Sequence, residues 1–150
     1  MLQAARQDSA FHPDMGPFAE ARPGFSDDID RVADRDADGR RFLRRGWFAA
    51  TGETGGATLV GRRGDGAPFV AIPTLPFGPA IASARNVPGN YWPFRGFPLA
   101  GDTDEAELAD FLGSGAARAA LGQIWRLGPA YRTDPAVALT VKAARRRDRE

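Results

Sequence analysis

Two runs of strand-forming residues, Ala57–Arg63 and Pro68–Leu75, close around the tripeptide Gly64-Asp65-Gly66. An Asp-Gly step between β-branched and aromatic residues is a strong mark of a β-hairpin, because glycine takes the positive φ that a tight reversal needs. β structure is thereby fixed in the middle of the chain. Pro73 and Pro76 cannot donate ladder hydrogen bonds. The second strand is therefore expected to be frayed, bulged or at an edge where they fall.

Helical signals lie on both sides of the hairpin. Ser26-Asp27-Asp28 can cap a helix, and the stretch to Ala50 has helical composition, divided into two pieces by Gly39 and Gly46. Ile29, Val32 and Ala33 form one apolar stripe; Phe42, Leu43, Trp47 and Phe48 form a stronger one. Arg40, Arg41, Arg44 and Arg45 are expected on a solvated flank of the second piece. Downstream, Phe77–Gly101 is rich in Gly and Pro, and its aromatic residues suggest a strand through Asn90–Phe97. Asp102 is expected to cap a helix with Glu105 reaching back, until Gly113-Ser114-Gly115 breaks it. Gln123–Leu127 reads as a short strand. Asp134-Pro135 opens a last helix, with proline at the favoured first position.

The division that follows is an extended or partly disordered arm (1–25), an α+β domain (26–145) and a polar, basic tail (146–150). Isolated Phe11, Phe18 and Phe25 among the prolines of the arm are expected to pin it to the domain. A chain of 150 residues is long enough to bury one core without staples.

The side-chain palette excludes several chemistries. There is no cysteine, so disulfide frameworks, thiolate zinc sites and cysteine nucleophiles are ruled out. Lys142 is the only lysine beside many arginines, which reads as coding bias. A nucleic-acid partner is disfavoured, because Arg and Asp alternate through Asp27–Arg41 instead of concentrating charge on one face. No apolar run approaches the roughly 20 residues of a membrane span, and Met1–Ala10 has no secretory pattern. A cytoplasmic protein without a membrane partner is expected.

The order helix, hairpin, aromatic strand, helix, strand, helix comes with three characteristic phrases. They are Gly64–Pro73, Val87-Pro88-Gly89-Asn90-Tyr91-Trp92-Pro93-Phe94-Arg95 and Ile124-Trp125-Arg126-Leu127-Gly128-Pro129. Over residues 40–140 the chain resembles the GNAT-like acyltransferases, nearest the cellulose-biosynthesis-associated, Fem-like group in which two GNAT-like halves sit in tandem. The resemblance implies a mixed, largely antiparallel sheet flanked by helices, and acyl-coenzyme A as the cofactor of the family. It also implies that this chain corresponds to the N-terminal half, with a second GNAT-like half or a second copy as partner.

In that superfamily a strand-to-helix loop of the form Gln/Arg-x-x-Gly-x-Gly/Ala turns N–H groups toward the coenzyme pyrophosphate, as helix N-termini do for anions generally. Arg63-Gly64-Asp65-Gly66-Ala67-Pro68 ends in proline and reads better as the hairpin turn; Gly113-Ser114-Gly115 does not follow a strand. No cofactor site is therefore assigned within the chain, and the loop is expected beyond Glu150. The half would then not be catalytic alone; a protein-interaction domain on the same scaffold is the alternative.

Asn90, Tyr91, Trp92 and Arg95 are the candidate ligand-binding residues, since rings beside an amide and a guanidinium can select a planar or anionic ligand. The competing reading makes Trp92, Phe94 and Phe97 core residues of a half-buried strand. His12, the sole histidine, stands in the proline-rich arm without partners. Asp34-Arg35-Asp36-Ala37-Asp38-Gly39 resembles the start of a calcium loop, but Arg45 occupies the position where a bidentate Glu is required. No metal site is expected, and Ser9, Ser26, Ser83 and Ser114 have no base near them in sequence.

Overall fold

The computed structural model describes residues 17–89 and 95–147. In chain order the elements are β1 (Phe18–Pro23), α1 (Asp28–Ala33), α2 (Arg45–Ala49), β2 (Ala57–Arg62), β3 (Pro68–Pro76) and β4 (Ala84–Asn86). They continue with α3 (Glu105–Gly113), α4 (Gly115–Leu121), β5 (Ile124–Arg126) and α5 (Pro135–Arg147). The strands form one sheet in the order β1-β2-β3-β4-β5. The first four are mutually antiparallel and β5 runs parallel to β4, so the fold is α+β with a mixed, largely antiparallel sheet. The parallel step needs a crossover, which α3 and α4 supply.

The hairpin forms where the Asp-Gly step places it. Gly66 takes φ +81°. Its N–H donates to Arg63 O at 2.8 Å, and Arg63 N–H donates to Ala67 O at 3.0 Å. Asp65 Oδ1 accepts from Ala67 N–H at 2.9 Å and stiffens the turn. At its prolines β3 is locally an unpaired edge or a frayed end, as expected, although the strand as a whole is interior to the sheet. Ala71 N–H donates to Pro98 O, Ala100 N–H donates to Phe69 O, and β4 joins only at Leu75 and Pro76. Alternation turns the main-chain groups of 69, 71, 73 and 75 to this same flank. Pro73 thus falls in the gap between the 98–100 segment and β4. Pro76 faces the β2 flank past the last pair, Ala57–Thr74. Neither missing N–H interrupts a ladder.

The segment read as an arm contributes β1, which pairs along the whole of β2. Its junction to α1 is pinned by the buried Thr58, whose hydroxyl donates to Gly24 O at 2.8 Å and accepts from Ser26 N–H at 3.0 Å. Asn90–Phe94 lie outside the described residues, and Arg95–Phe97 form no strand; the strand of this flank is β4. Its three residues carry no alternating pattern long enough to announce it.

The core gathers Phe48, Phe69, Phe97, Phe111, Ile29, Leu59, Ile72 and Leu108, all fully buried. Each such side chain contributes about 1.5–3 kcal/mol on removal from water. α1 lies on β3, α4 over β1 and β2, and α3 against α5. Phe69 and Phe111 meet edge to face at 5.7 Å. Gly61 makes this approach possible: a Cβ there would stand 2.8 Å from the Phe111 ring and 2.6 Å from Val70.

Helix ends correct one expectation and bear out another. Asp104, not Asp102, caps α3, its carboxylate accepting from Glu107 N–H at 2.8 Å. Asp102 is free to receive Arg63 and Arg35 instead. Ser114 ends α3 and also caps α4 through its hydroxyl, so the Gly-Ser-Gly break separates two helices. Among the described residues no helix is long and apolar enough to cross a membrane.

Candidate functional site

Charge is distributed unevenly along the fold. Every arginine from Arg22 to Arg63 has a carboxylate within ion-pair distance. These pairs neutralise the alternating Arg/Asp region. Asp34, Asp36 and Asp38 pair with Arg44, Arg40 and Arg41 respectively. No group of three or more potential metal ligands occurs among the described residues. Arg40 corrects the solvated-flank expectation, because it is buried between Asp36 and Asp134.

Asp28 is likewise buried and saturated. Arg62 reaches it at 2.7 Å and Arg31 at 3.1 Å, while the Ser26 hydroxyl accepts from its N–H. It borders a cleft of about 700 Å³ between β1 and α1, lined by Glu20, Arg22, Asp27, Arg31 and Arg45. Opposite charges are matched throughout this cleft, which locks β1 to α1 and α2. Ser83 and Ser114 serve the backbone of a turn and a helix end. His12 and Ser9 lie outside the described residues.

The parallel β4–β5 pair is different. Its register sets Arg85 beside Trp125 and Asn86 beside Arg126, and Val87 N–H extends it to Arg126 O at 3.2 Å. Residues far apart in sequence are thereby joined. Among the described residues Arg85, Arg95 and Arg126 make no ion pair, so positive charge here is not neutralised as it is around α1. Burial lowers the pKa of the Arg85 guanidinium, whose hydrogen-bond partners are neutral oxygens of Thr74 and Gly55.

Among the described residues, three polar atoms around this pair are buried without a hydrogen-bond partner: Asn86 Oδ1, Arg95 Nε and Trp125 Nε1. Leaving such an atom unmatched costs about 1–3 kcal/mol, and native proteins keep few of them. The Trp125 ring packs on Phe97 at 6.1 Å. Gly89 clears room for the Arg95 stem: a Cβ there would stand 2.9 Å from Arg95 Cγ. One donor on Arg95, one on Trp125 and one acceptor on Asn86 are thus left unmatched among the described residues.

Of the residues singled out from sequence, Arg95 belongs to this region; Asn90, Tyr91 and Trp92 lie outside the described residues. Arg85, Asn86 and Trp125 were missed as site residues. Trp125 had a usable signal, since alternation in Ile124-Trp125-Arg126 turns Trp125 inward and leaves its neighbours exposed. Arg85 and Asn86 had none, because their placement depends on pairing with β5. No protein-family model, curated protein or solved structure matches this chain.

Proposed function

We propose that the chain is the non-coenzyme half of a GNAT-like acyltransferase system. The observation that carries this reading is the strand order: an antiparallel sheet continued by a parallel strand across the α3–α4 crossover. From α2 onward the elements run helix, hairpin, strand, two helices, strand, helix, with β4 standing in place of the aromatic strand on which the resemblance drew. The segments nearest in wording to a coenzyme-gripping loop have other roles, Arg63–Ala67 as a hairpin turn and Ser114 as a helix–helix junction. Direct acyl transfer from coenzyme A to an amine needs positioning and carbonyl polarisation more than a covalent enzyme intermediate. In this half the unmatched groups of Asn86, Arg95 and Trp125 are the polar atoms available for positioning. The edge strand β5 is where a second half or second copy would extend the sheet.

The test is release of free thiol from acetyl-coenzyme A in the presence of primary amines. The isolated chain is expected to release none. Release is expected when a GNAT-like domain that co-purifies with the chain and carries the Gln/Arg-x-x-Gly-x-Gly/Ala loop is added. Thiol release by the chain alone would overturn the division into halves. A mixture no more active than the added domain would reject the acyltransferase reading in favour of a protein-interaction module.

A further inference from the structure

A second groove lies at the opposite, N-terminal ends of β4 and β5. It encloses about 340 Å³ between the β3–β4 loop and the end of α4, at the lower end of the roughly 300–1,000 Å³ typical of small-molecule sites. Pro76, Phe77 and Pro79 form one wall; Ala119 and Ala120 form the other. Arg85 is the one charged residue among those lining it.

The guanidinium is held but not neutralised. Nε donates to Thr74 Oγ1 at 2.8 Å, while Nη2 donates to Gly55 O at 3.0 Å and Thr74 O at 3.2 Å. Nη1 has no hydrogen-bond partner among the described residues. Three neutral acceptors fix the head and leave its charge unmet. A second guanidinium without a carboxylate, that of Arg126, lies over the Phe77 ring, 5.3 Å from its centroid. Phe77 therefore serves as a wall of the groove and as a seat for a cation at its rim. This contrasts with the β1–α2 region, where every arginine is paired.

The loop is also preorganised. Ser83 adopts φ +42°, which is uncommon for a residue with a side chain. Gly122, at the end of α4, presses so closely on Ser83 O that a Cβ could not be accommodated. Ser83 N–H donates to Ala80 O and Phe77 N–H donates to Ala84 O, tying the loop at both ends. Backbone strain held in place by its surroundings is characteristic of ligand-binding segments.

We infer that this groove binds a small organic oxyanion, a phosphate monoester or a carboxylate, with its apolar body against the Pro76–Pro79 and Ala119–Ala120 walls and its anionic head toward Arg85. A fixed guanidinium fork suits both head groups. Two cations beside an apolar groove favour a small molecule over a nucleic acid, which would need an extended basic track.

The test is amide chemical-shift titration of the whole chain with phenyl phosphate, benzoate and inorganic phosphate, alongside a single-stranded oligonucleotide. Phenyl phosphate or benzoate is expected to shift Phe77, Ala84, Ala120 and Gly122 saturably, with inorganic phosphate weaker. Which of the two organic ligands binds more tightly assigns the head group. Arg85→Met is expected to weaken binding roughly tenfold or more, the range for a charge-assisted hydrogen bond. Ala120→Leu, which fills the groove and leaves Arg85 in place, is expected to abolish it and remains informative if Arg85→Met fails to fold. Absence of saturable shifts with both organic anions, or unchanged affinity in Ala120→Leu, would overturn the proposal. Inorganic phosphate binding as tightly as phenyl phosphate would remove the apolar body from it. Saturation by the oligonucleotide alone would replace the small molecule with a nucleic acid.

Discussion

Arg40 Nε donates to Asp36 Oδ1 at 3.0 Å, with the two side chains only 9% and 2% exposed. Arg40 also donates to Phe97 O at 2.7 Å and pairs with Asp134, while Asp36 Oδ2 accepts from Leu99 N–H at 3.1 Å. Asp134 in turn caps α5 by accepting from Val137 N–H. One arginine thus fastens the turn after α1, the 97–99 segment and the start of α5. Removing one member of a buried pair strands its partner's charge, at a cost of about 3–5 kcal/mol. Arg40→Met is therefore expected to lower stability by that amount, read as a fall in urea midpoint at unchanged slope. Arg44→Ala, which breaks the half-exposed pair with Asp34, is expected to cost under about 1 kcal/mol. Equal effects would show that burial does not set the strength of these pairs.

Gly61→Ala tests the packing of α3 on the sheet. The added methyl meets both Val70 and the Phe111 ring inside ordinary contact distance, and overpacking of this kind costs about 1–3 kcal/mol. Phe111→Leu should itself destabilise by leaving space. Combined with Gly61→Ala, however, it should cost less than the sum of the single changes. Unfolding midpoints of the four proteins give the coupling directly; strict additivity would mean that the methyl is accommodated elsewhere.

What could be read in advance was what local chemistry decides. Gly64-Asp65-Gly66 fixes its turn within three residues, and Asp134-Pro135 marks the start of α5 by capping and a preset φ. β1 and β4 were not legible as strands, because their extended shape comes from pairing to β2, β3 and β5 and not from any period of their own. Arg40 was hidden for a similar reason: its partners Asp134 and Phe97 are remote in sequence, and only tertiary structure distinguishes it from exposed Arg41. The β4–β5 region combines both difficulties. Arg95 drew notice through its aromatic neighbours, but its companions Asn86 and Trp125 are brought in by a parallel pairing that no local motif encodes.

Ser114 carries two helix ends, and its replacement separates capping from packing. Its hydroxyl accepts from Ala117 N–H at 3.1 Å at the start of the seven-residue α4. Ser114→Ala is expected to cost about 1 kcal/mol, whereas Ser114→Gly should cost only a few tenths. The comparison is made by urea unfolding at fixed pH. A larger loss for Gly than for Ala would mean that chain entropy at the α3–α4 junction outweighs the lost cap.

Acid stability should depend on Asp102. The Arg63 guanidinium donates to this carboxylate at 2.8 and 3.2 Å and, by hydrogen bonding first and charge second, holds its pKa below the ordinary range. A carboxyl with a lower pKa in the folded state stabilises the fold at pH above its unfolded value, about 3.9. That contribution disappears as pH falls through the folded value, where both states become protonated. The carboxylate is 61% exposed, so solvent screens the pair and keeps its contribution modest. Asp102→Asn should therefore unfold at lower urea than the parent by a gap that is constant near neutrality. The gap should narrow below about pH 4 and shrink in high salt. Urea midpoints measured from neutral to strongly acidic pH check each part. A gap that persists undiminished in acid would assign Asp102 a packing role in place of an electrostatic one.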